Sequence, residues 1–183
     1  MDRLTHRSIK EGYRARSVYK LKELNWKYHI FKPGNSVFDI GCWPGSWLQY
    51  CKELGCTVFG VDQLPVEGFP TILGDILKDS TLEKISGTYD VVLSDVAPNT
   101  CGIIALDQER SLELSQRAFF IARRILKPGG IFVCKVYEGK GVPMFMSELR
   151  PFFSFTKLLQ LDYSRRGSKE RYLLGRGFSP HLR

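Results

Sequence analysis

No apolar run in this sequence approaches the roughly 18 residues a membrane-spanning helix requires, and the N-terminus is polar and arginine-rich where a secretory signal would be apolar. A soluble, cytoplasmic protein without a membrane partner is therefore expected. Cysteine is sparse and odd in number. Cys42, Cys51, Cys56, Cys101 and Cys134 contain no Cys-x-x-Cys pair, which argues against a zinc ribbon or a redox motif and for reduced, packed thiols. The histidines, His6, His29 and His181, are scattered, so no zinc site is legible and no metal is expected. Internal repeats and low-complexity stretches are also missing.

What is present is an ordinary globular composition, 43% hydrophobic and 25% charged over 183 residues. That length predicts one domain, residues 1–183, with a basic arm over about 1–16 and a core over about 17–177. The net charge of +8 is concentrated at the ends. Arg3, Arg7, Lys10, Arg14, Arg16, Lys20, Lys22, Lys27 and Lys32 face only Asp2, Glu11 and Glu23 in the first stretch; Arg165, Arg166, Lys169, Arg171, Arg176 and Arg183 face only Glu170 in the last. Basic termini around a near-neutral middle fit a polyanion partner, because cations that neutralise phosphates release condensed counterions. They also fit a merely solubilising surface.

Apolar Val18, Leu21 and Leu24 recur at helical spacing over residues 17–24, with Ser17 as N-cap. Strand and helix signals then alternate. Strands are expected at 36–40, 57–61, 71–73, 90–93 and 131–137, with helices at 46–54, 80–85 and 107–126 between them. The long helix ends at Lys127-Pro-Gly-Gly130, a helix stop. A helix over 143–149 starts on a proline, and strands at 155–161 and 171–174 close the chain through the basic link 164–169. This pattern predicts an α/β fold, a doubly wound, mostly parallel seven-stranded sheet with one antiparallel edge strand.

The first strand ends at Asp39 and runs into a loop containing Gly41 and Gly45. Glycine lets backbone pass close to a ligand, and in doubly wound folds cofactors bind beyond the first strand. The spacing is not Gly-x-Gly-x-x-Gly, so a nicotinamide dinucleotide is the weaker choice. The second strand ends at Asp62, placed to accept from ribose hydroxyls, and the third is followed by Asp75 and Ile76, which suit an adenine amino group and ring. Acids at strand ends also serve as caps and turn residues. Asp95 closes the fourth strand, and Lys135 interrupts the apolar fifth. A lysine inside an apolar strand is rarely unpaired, since burying a lone ammonium costs several kcal/mol or forces loss of its proton. A structural ion pair with Asp95 is one outcome and a functional amine the other.

Four motifs occur in order: Tyr13-Arg-Ala-Arg-Ser-Val-Tyr-Lys20, Asp39-Ile-Gly-Cys-Trp-Pro-Gly-Ser-Trp47, Leu93-Ser-Asp-Val-Ala-Pro-Asn99, and Lys127-Pro-Gly-Gly130 with Phe132-Val-Cys-Lys-Val-Tyr137. Together they resemble the FtsJ-like S-adenosylmethionine-dependent RNA ribose 2′-O-methyltransferases, from about residue 7 to 177. The resemblance implies a Rossmann-like methyltransferase fold and a Lys-Asp-Lys-Glu tetrad on Lys20, Asp95, Lys135 and Glu170. It implies S-adenosylmethionine contacts at Gly45, Trp47, Asp62, Asp75 and Asp95, and the cofactor set expected here adds Asp39, Gly41, Trp43, Pro44 and Ile76. Cys42-Trp43 departs from the small residues usual in that loop, so Trp43 is expected to narrow or reshape the pocket.

A ribose 2′-hydroxyl is a weak nucleophile and a sulfonium methyl an activated electrophile, so the chemistry needs alignment and the handling of one proton. Lys135 is expected to contact the hydroxyl as base, its pKa lowered by Lys20 and the sulfonium and raised by Asp95 and Glu170. Asp95 orients it, and Lys20 and Glu170 position the hydroxyl. Arg14, Arg16, Tyr19, Arg165, Arg166 and Lys169 are the expected RNA contacts. The short core resembles the type acting on large-subunit ribosomal RNA, most simply at a uridine and as a monomer; tRNA is the second choice. A non-catalytic RNA-binding assembly factor on the same scaffold is the reading of another class.

Overall fold

The computed structural model describes residues 3–164 and 167–181. A helix, α1 (Arg3–Lys10), lies within the basic arm; its one buried residue is Ser8, so no apolar periodicity announces it. α2 (Val18–Tyr28) buries Val18, Leu21 and Leu24 as expected but runs four residues past position 24. The extension ends through Asn25. Its carbonyl accepts the N–H of left-handed His29, and its side-chain oxygen accepts those of Ile30 and Phe31. Ser17 does not cap the helix with its side chain; its hydroxyl meets that of Ser46 at 3.0 Å.

The alternating part follows as β1 (Ser36–Ile40), α3 (Ser46–Glu53), β2 (Thr57–Asp62), β3 (Thr71–Leu73), α4 (Asp79–Leu82), β4 (Tyr89–Ser94), α5 (Ile104–Ile125) and β5 (Leu126–Tyr137). Then come α6 (Val142–Leu149), a 3₁₀ turn (Arg150–Phe152), β6 (Phe153–Leu159) and β7 (Glu170–Phe178). The expected stop after α5 is drawn into β5 instead. Tyr89 pairs with Leu126 and Val91 with Ile131, so residues 127–130 form a bulge between the two pairings.

Seven strands run in the order β3-β2-β1-β4-β5-β7-β6. β1 to β5 are parallel and β7 is antiparallel to both neighbours, so the expected antiparallel edge takes the form of a β6–β7 pair with β7 on the inside. Strand order reverses between β1 and β4, the point at which doubly wound sheets open a crevice beyond the strand ends.

Side-chain alternation divides the core in two. Phe38, Ile40, Val92, Phe132, Cys134, Val136 and Leu173 join Phe119, Ala122, Phe145 and Leu149 of α5 and α6. Val37, Val91, Leu93, Val133, Tyr172 and Leu174 join Leu21, Leu24, Trp47 and Leu48 of α2 and α3. Lys135, two residues after Val133 and opposite Tyr172 in the β5–β7 register, is thereby directed to the α2 side.

The link between β6 and β7 is fixed to α2 by Glu23, a buried carboxylate accepting from Lys27 Nζ (2.5 Å) and from the N–H groups of Asp162 (3.0 Å) and Tyr163 (3.2 Å). Glu23→Ala leaves two amides to find other acceptors. It is expected to lower the unfolding free energy by about 2–3 kcal/mol, measured by urea denaturation.

Candidate active site

Four elements deliver four charges to one place. Lys20 projects from the first turn of α2, Asp95 follows β4, Lys135 sits near the end of β5 and Glu170 begins β7. They form two ion pairs. Lys20 Nζ lies 2.7 and 2.8 Å from the two Glu170 carboxylate oxygens, and Lys135 Nζ lies 3.1 Å from Asp95 Oδ1 while also donating to the Asp95 carbonyl. The Lys135 side chain is 7% exposed and that of Asp95 17%.

Tyr172 joins the pairs. Fully buried on β7 opposite Lys135, it donates to Asp95 Oδ1 at 2.5 Å, and Lys20 Nζ lies 5.8 Å from its ring centroid. Glu170 is held in turn by the Ser164 hydroxyl (2.9 Å), while its N–H donates to Ser168 Oγ.

The electrostatics have a definite sign. Burial works against the Lys135 charge, but Asp95 and Glu170 together outweigh it and raise the amine above its ordinary value. Lys20, expected to push the other way, has its charge taken up by Glu170. Tyr172 is pushed well up by burial and by the same two carboxylates, so its phenol stays protonated and donates.

Two cavities flank this array. A crevice of about 750 Å³ opens where the sheet order reverses, lined by Gly41, Trp43, Asp62, Asp75, Ile76, Asp95 and the loop 96–99, with Arg110, Glu113 and Leu114 of α5 forming a wall. A smaller pocket of about 390 Å³ is lined by Arg16, Lys20, Tyr137, Ser168, Lys169 and Glu170. Asp95 belongs to the first, Lys20 and Glu170 to the second.

The crevice is built for a ligand against backbone. Gly41 has φ +77°, and a Cβ there would lie 2.9 Å from Val96 Cα, so the loop passes too close for any side chain. Asp62 accepts the N–H groups of Trp43 and Leu64, and Asp75 that of Leu77, which fixes both carboxylates at the rim. Asp39 is 1% exposed with both carboxyl oxygens unpartnered. Its desolvation, with the charges of Asp95 and Asp62, raises its carboxyl well above the usual range. A site this crowded with acids suits a cationic ligand.

Other expected contacts fall elsewhere. Asp39, Pro44, Gly45 and Trp47 do not line the crevice. Trp47 is buried and donates from Nε1 to the Ser17 carbonyl, fixing the start of α2. Trp43 lines the crevice at 54% exposure, so it stands at the mouth without filling it.

Arg14 is turned back onto the protein. It donates to the carbonyls of Pro44 (3.1 Å) and Glu67 (2.8 Å) and lies over the Phe69 ring, bracing the Gly45 loop. Tyr19, 2% exposed, packs with Tyr163 inside the fold and does not present its ring for stacking. Arg165 and Arg166 lie outside the described residues. The residues not anticipated were Tyr172, Tyr137, Ser168 and the α5 wall; alternation from Glu170 through Tyr172 to Leu174 was the available signal for the first.

Among the described residues no helix is long and apolar enough to cross a membrane. Comparison with known proteins is consistent along the chain. The family model for FtsJ-like methyltransferases matches residues 13–178. A Methanothrix thermoacetophila protein named ribosomal RNA large subunit methyltransferase E is 45% identical over 96% of this chain and 72% of its own length. A protein of the same name from Archaeoglobus fulgidus is 42% identical over 92% of each chain. Among solved structures, a Plasmodium falciparum protein assigned as a ribosomal RNA methyltransferase superposes with a TM-score of 0.77 at 27% identity, over 91% of this chain and 98% of that one. A fibrillarin complex at 17% identity and TM-score 0.61 shares the fold. The sheet order, the placement of the acids around the crevice and this agreement over 13–178 lead to one conclusion: the chain belongs to the FtsJ-like methyltransferase family.

Proposed function

We propose that this protein uses S-adenosylmethionine to methylate a ribose 2′-hydroxyl in large-subunit ribosomal RNA. The observation that carries this reading is the double ion pair of Lys20–Glu170 and Lys135–Asp95, set between an acid-lined crevice and a basic pocket. A cationic cofactor on one side and a polyanion on the other meet there. The names of the relatives support ribosomal RNA as the substrate.

The residues fit the cofactor. Asp62 and Asp75 at the rim would take its hydroxyl and amino donors, Ile76 would pack on its ring, and Asp95 would face its positive end. When bound, it supplies a methyl group already activated on a sulfonium.

The remaining work falls to side chains of this protein. The pocket beside Arg16 and Lys169 receives the RNA backbone, and Lys20 with Glu170 aligns the ribose. Lys135 contacts the 2′-hydroxyl and accepts its proton as the oxygen is alkylated. To do so it must first release its own proton, which Asp95 and Glu170 retain in the ligand-free state. A positive charge arriving in the crevice works against them. Asp95, locked by the Tyr172 phenol, keeps the amine pointed at the hydroxyl.

The test is direct. The protein is incubated with methyl-labelled cofactor and either large ribosomal subunits or bulk tRNA, and the label is mapped to a nucleotide. Incorporation into a ribose of ribosomal RNA is expected; incorporation into tRNA alone would overturn the substrate.

A further inference from the structure

Arg117, well inside α5, is used neither by the four charges nor by the crevice lining, yet its side chain is only 20% exposed and makes three polar contacts with one turn. Nε donates to the Ile76 carbonyl at 2.7 Å. One terminal nitrogen donates to the Leu77 carbonyl at 3.3 Å and to Asp79 Oδ1 at 2.7 Å. The turn so gripped is the one between β3 and α4, which brings Asp75 and Ile76 to the crevice rim.

The placement follows from helical spacing. Arg110, Glu113 and Leu114 line the crevice, and Arg117 stands at i, i+3, i+4 and i+7 along the same face of α5. The wall of the crevice therefore continues into a clamp. The turn needs one, because its strand is three residues long, its following helix four, and Leu73 and Leu77 are exposed. On its inner side only a glycine fits: a Cβ on Gly74 would lie 2.5 Å from Thr81 Oγ1.

We infer that Arg117 is a positioning residue for cofactor binding, its guanidinium fixing the backbone of the Asp75–Ile76 turn so that the carboxylate and the apolar side chain are presented together. This rests on the crevice being the S-adenosylmethionine site. The planar fork matters because Arg117 donates from two nitrogens held apart in one rigid plane, whereas an ammonium would have to reach both carbonyls and the carboxylate from a single nitrogen. The Asp79 contact is the lesser part, because that carboxylate is 86% exposed.

Arg117→Met keeps an unbranched apolar stem and removes all the donors, together with the guanidinium that lies 5.5 Å from the Phe120 ring centroid. If the turn then holds its competent form about one-tenth of the time, apparent affinity falls about tenfold. The expected result is a roughly tenfold rise in cofactor KM and in the dissociation constant of S-adenosylhomocysteine by calorimetry. kcat at saturating cofactor and KM for RNA should stay within about twofold of wild type. Arg117→Lys should fall between the two proteins, and Asp79→Asn should lie near wild type. Should Arg117→Met fail to fold, the lysine variant decides: unchanged cofactor affinity there overturns the inference. So does an Arg117→Met protein that loses kcat, or only melting temperature, with cofactor affinity intact. Failure of the wild-type protein to bind S-adenosylhomocysteine would instead remove the underlying site, and with it the inference; wild-type binding that Arg117→Met leaves unchanged would remove the inference alone.

Discussion

Lys135→Met is expected to reduce methyl transfer by about a thousandfold, within the range that a positioned general base contributes, while cofactor affinity changes less than about threefold. The amine lies among Asp95, Glu170 and Tyr172 and does not itself line the crevice, so its loss would remove the proposed contact to the hydroxyl and leave the crevice rim standing. Methionine is close in length and apolar, and its neighbours on that face of the sheet are Val133 and Tyr172. The freed Asp95 carboxylate keeps the Tyr172 phenol as donor and is partly open to solvent, which limits the stability cost. Single-turnover rates at saturating cofactor, alongside calorimetry, separate the two effects. A variant that turns over at near wild-type rate would show that the amine is structural.

Asp95→Asn is expected to lower turnover by about a hundredfold, raise cofactor KM, and cost about 2 kcal/mol of stability, the scale of a hydrogen bond to a charged group. One residue has three roles here: it pairs with Lys135, accepts from Tyr172 and lines the crevice. The variant also makes a signed prediction about pH. In the wild-type protein burial lowers the Lys135 pKa, but Asp95 and Glu170 raise it further, so the net value lies above the ordinary 10.5. The base form therefore grows as pH rises, and the transfer rate should climb through the alkaline range. Removing the Asp95 charge leaves burial opposed by Glu170 and, less, by Tyr137, so the amine loses its proton more readily and the profile moves to lower pH. Stability follows the same linkage. A raised lysine contributes fully below its unfolded-state pKa and loses that contribution as pH climbs through the folded one, so the stability gap between the two proteins should close above about pH 10.5. A profile that does not move would assign the titration to another group.

Much of this site was legible because charge stood where apolarity was expected. Lys135 announces itself as a cation in an otherwise apolar strand, and Asp39, Asp62 and Asp95 fall at the ends of strands with strong β signals. Even the three-residue β3 was readable, since Thr71–Leu73 lies between a proline and a glycine. Tyr172 was harder. Its role depends on β7 lying beside β5, and sequence order cannot say which strand a closing hairpin pairs with. The basic arm reads differently for a related reason: composition counts Arg14 and Tyr19 as cations and aromatics available to RNA, but Arg14 is engaged by the Pro44 and Glu67 carbonyls and Tyr19, on α2, is buried against Tyr163. Helix α1 itself buries only a serine, which leaves no periodic signal. Arg117 was hidden by distance, its partners lying some 40 positions earlier in the chain.

The structure also separates two kinds of lysine. Lys127 bridges Asp90 and Ser36 at the opposite end of the strands, where it ties β4 to β1, and neither it nor Asp90 lines the crevice or the basic pocket. Lys135 and Lys20 make similar ion pairs, but with partners that line a cavity, Asp95 the crevice and Glu170 the basic pocket. Pairing alone does not distinguish a structural cation from a working one; the open space beside it does.

The measurement that bears most directly on this assignment is nucleotide-level mapping of the methyl group transferred from labelled S-adenosylmethionine to large-subunit RNA. The predicted result is a single ribose carrying a 2′-O-methyl group, identified by the resistance of its 3′ linkage to alkali, with the signal gone in Lys135→Met. A methyl group on a base, or an undiminished 2′-O-methyl signal in that variant, would contradict it.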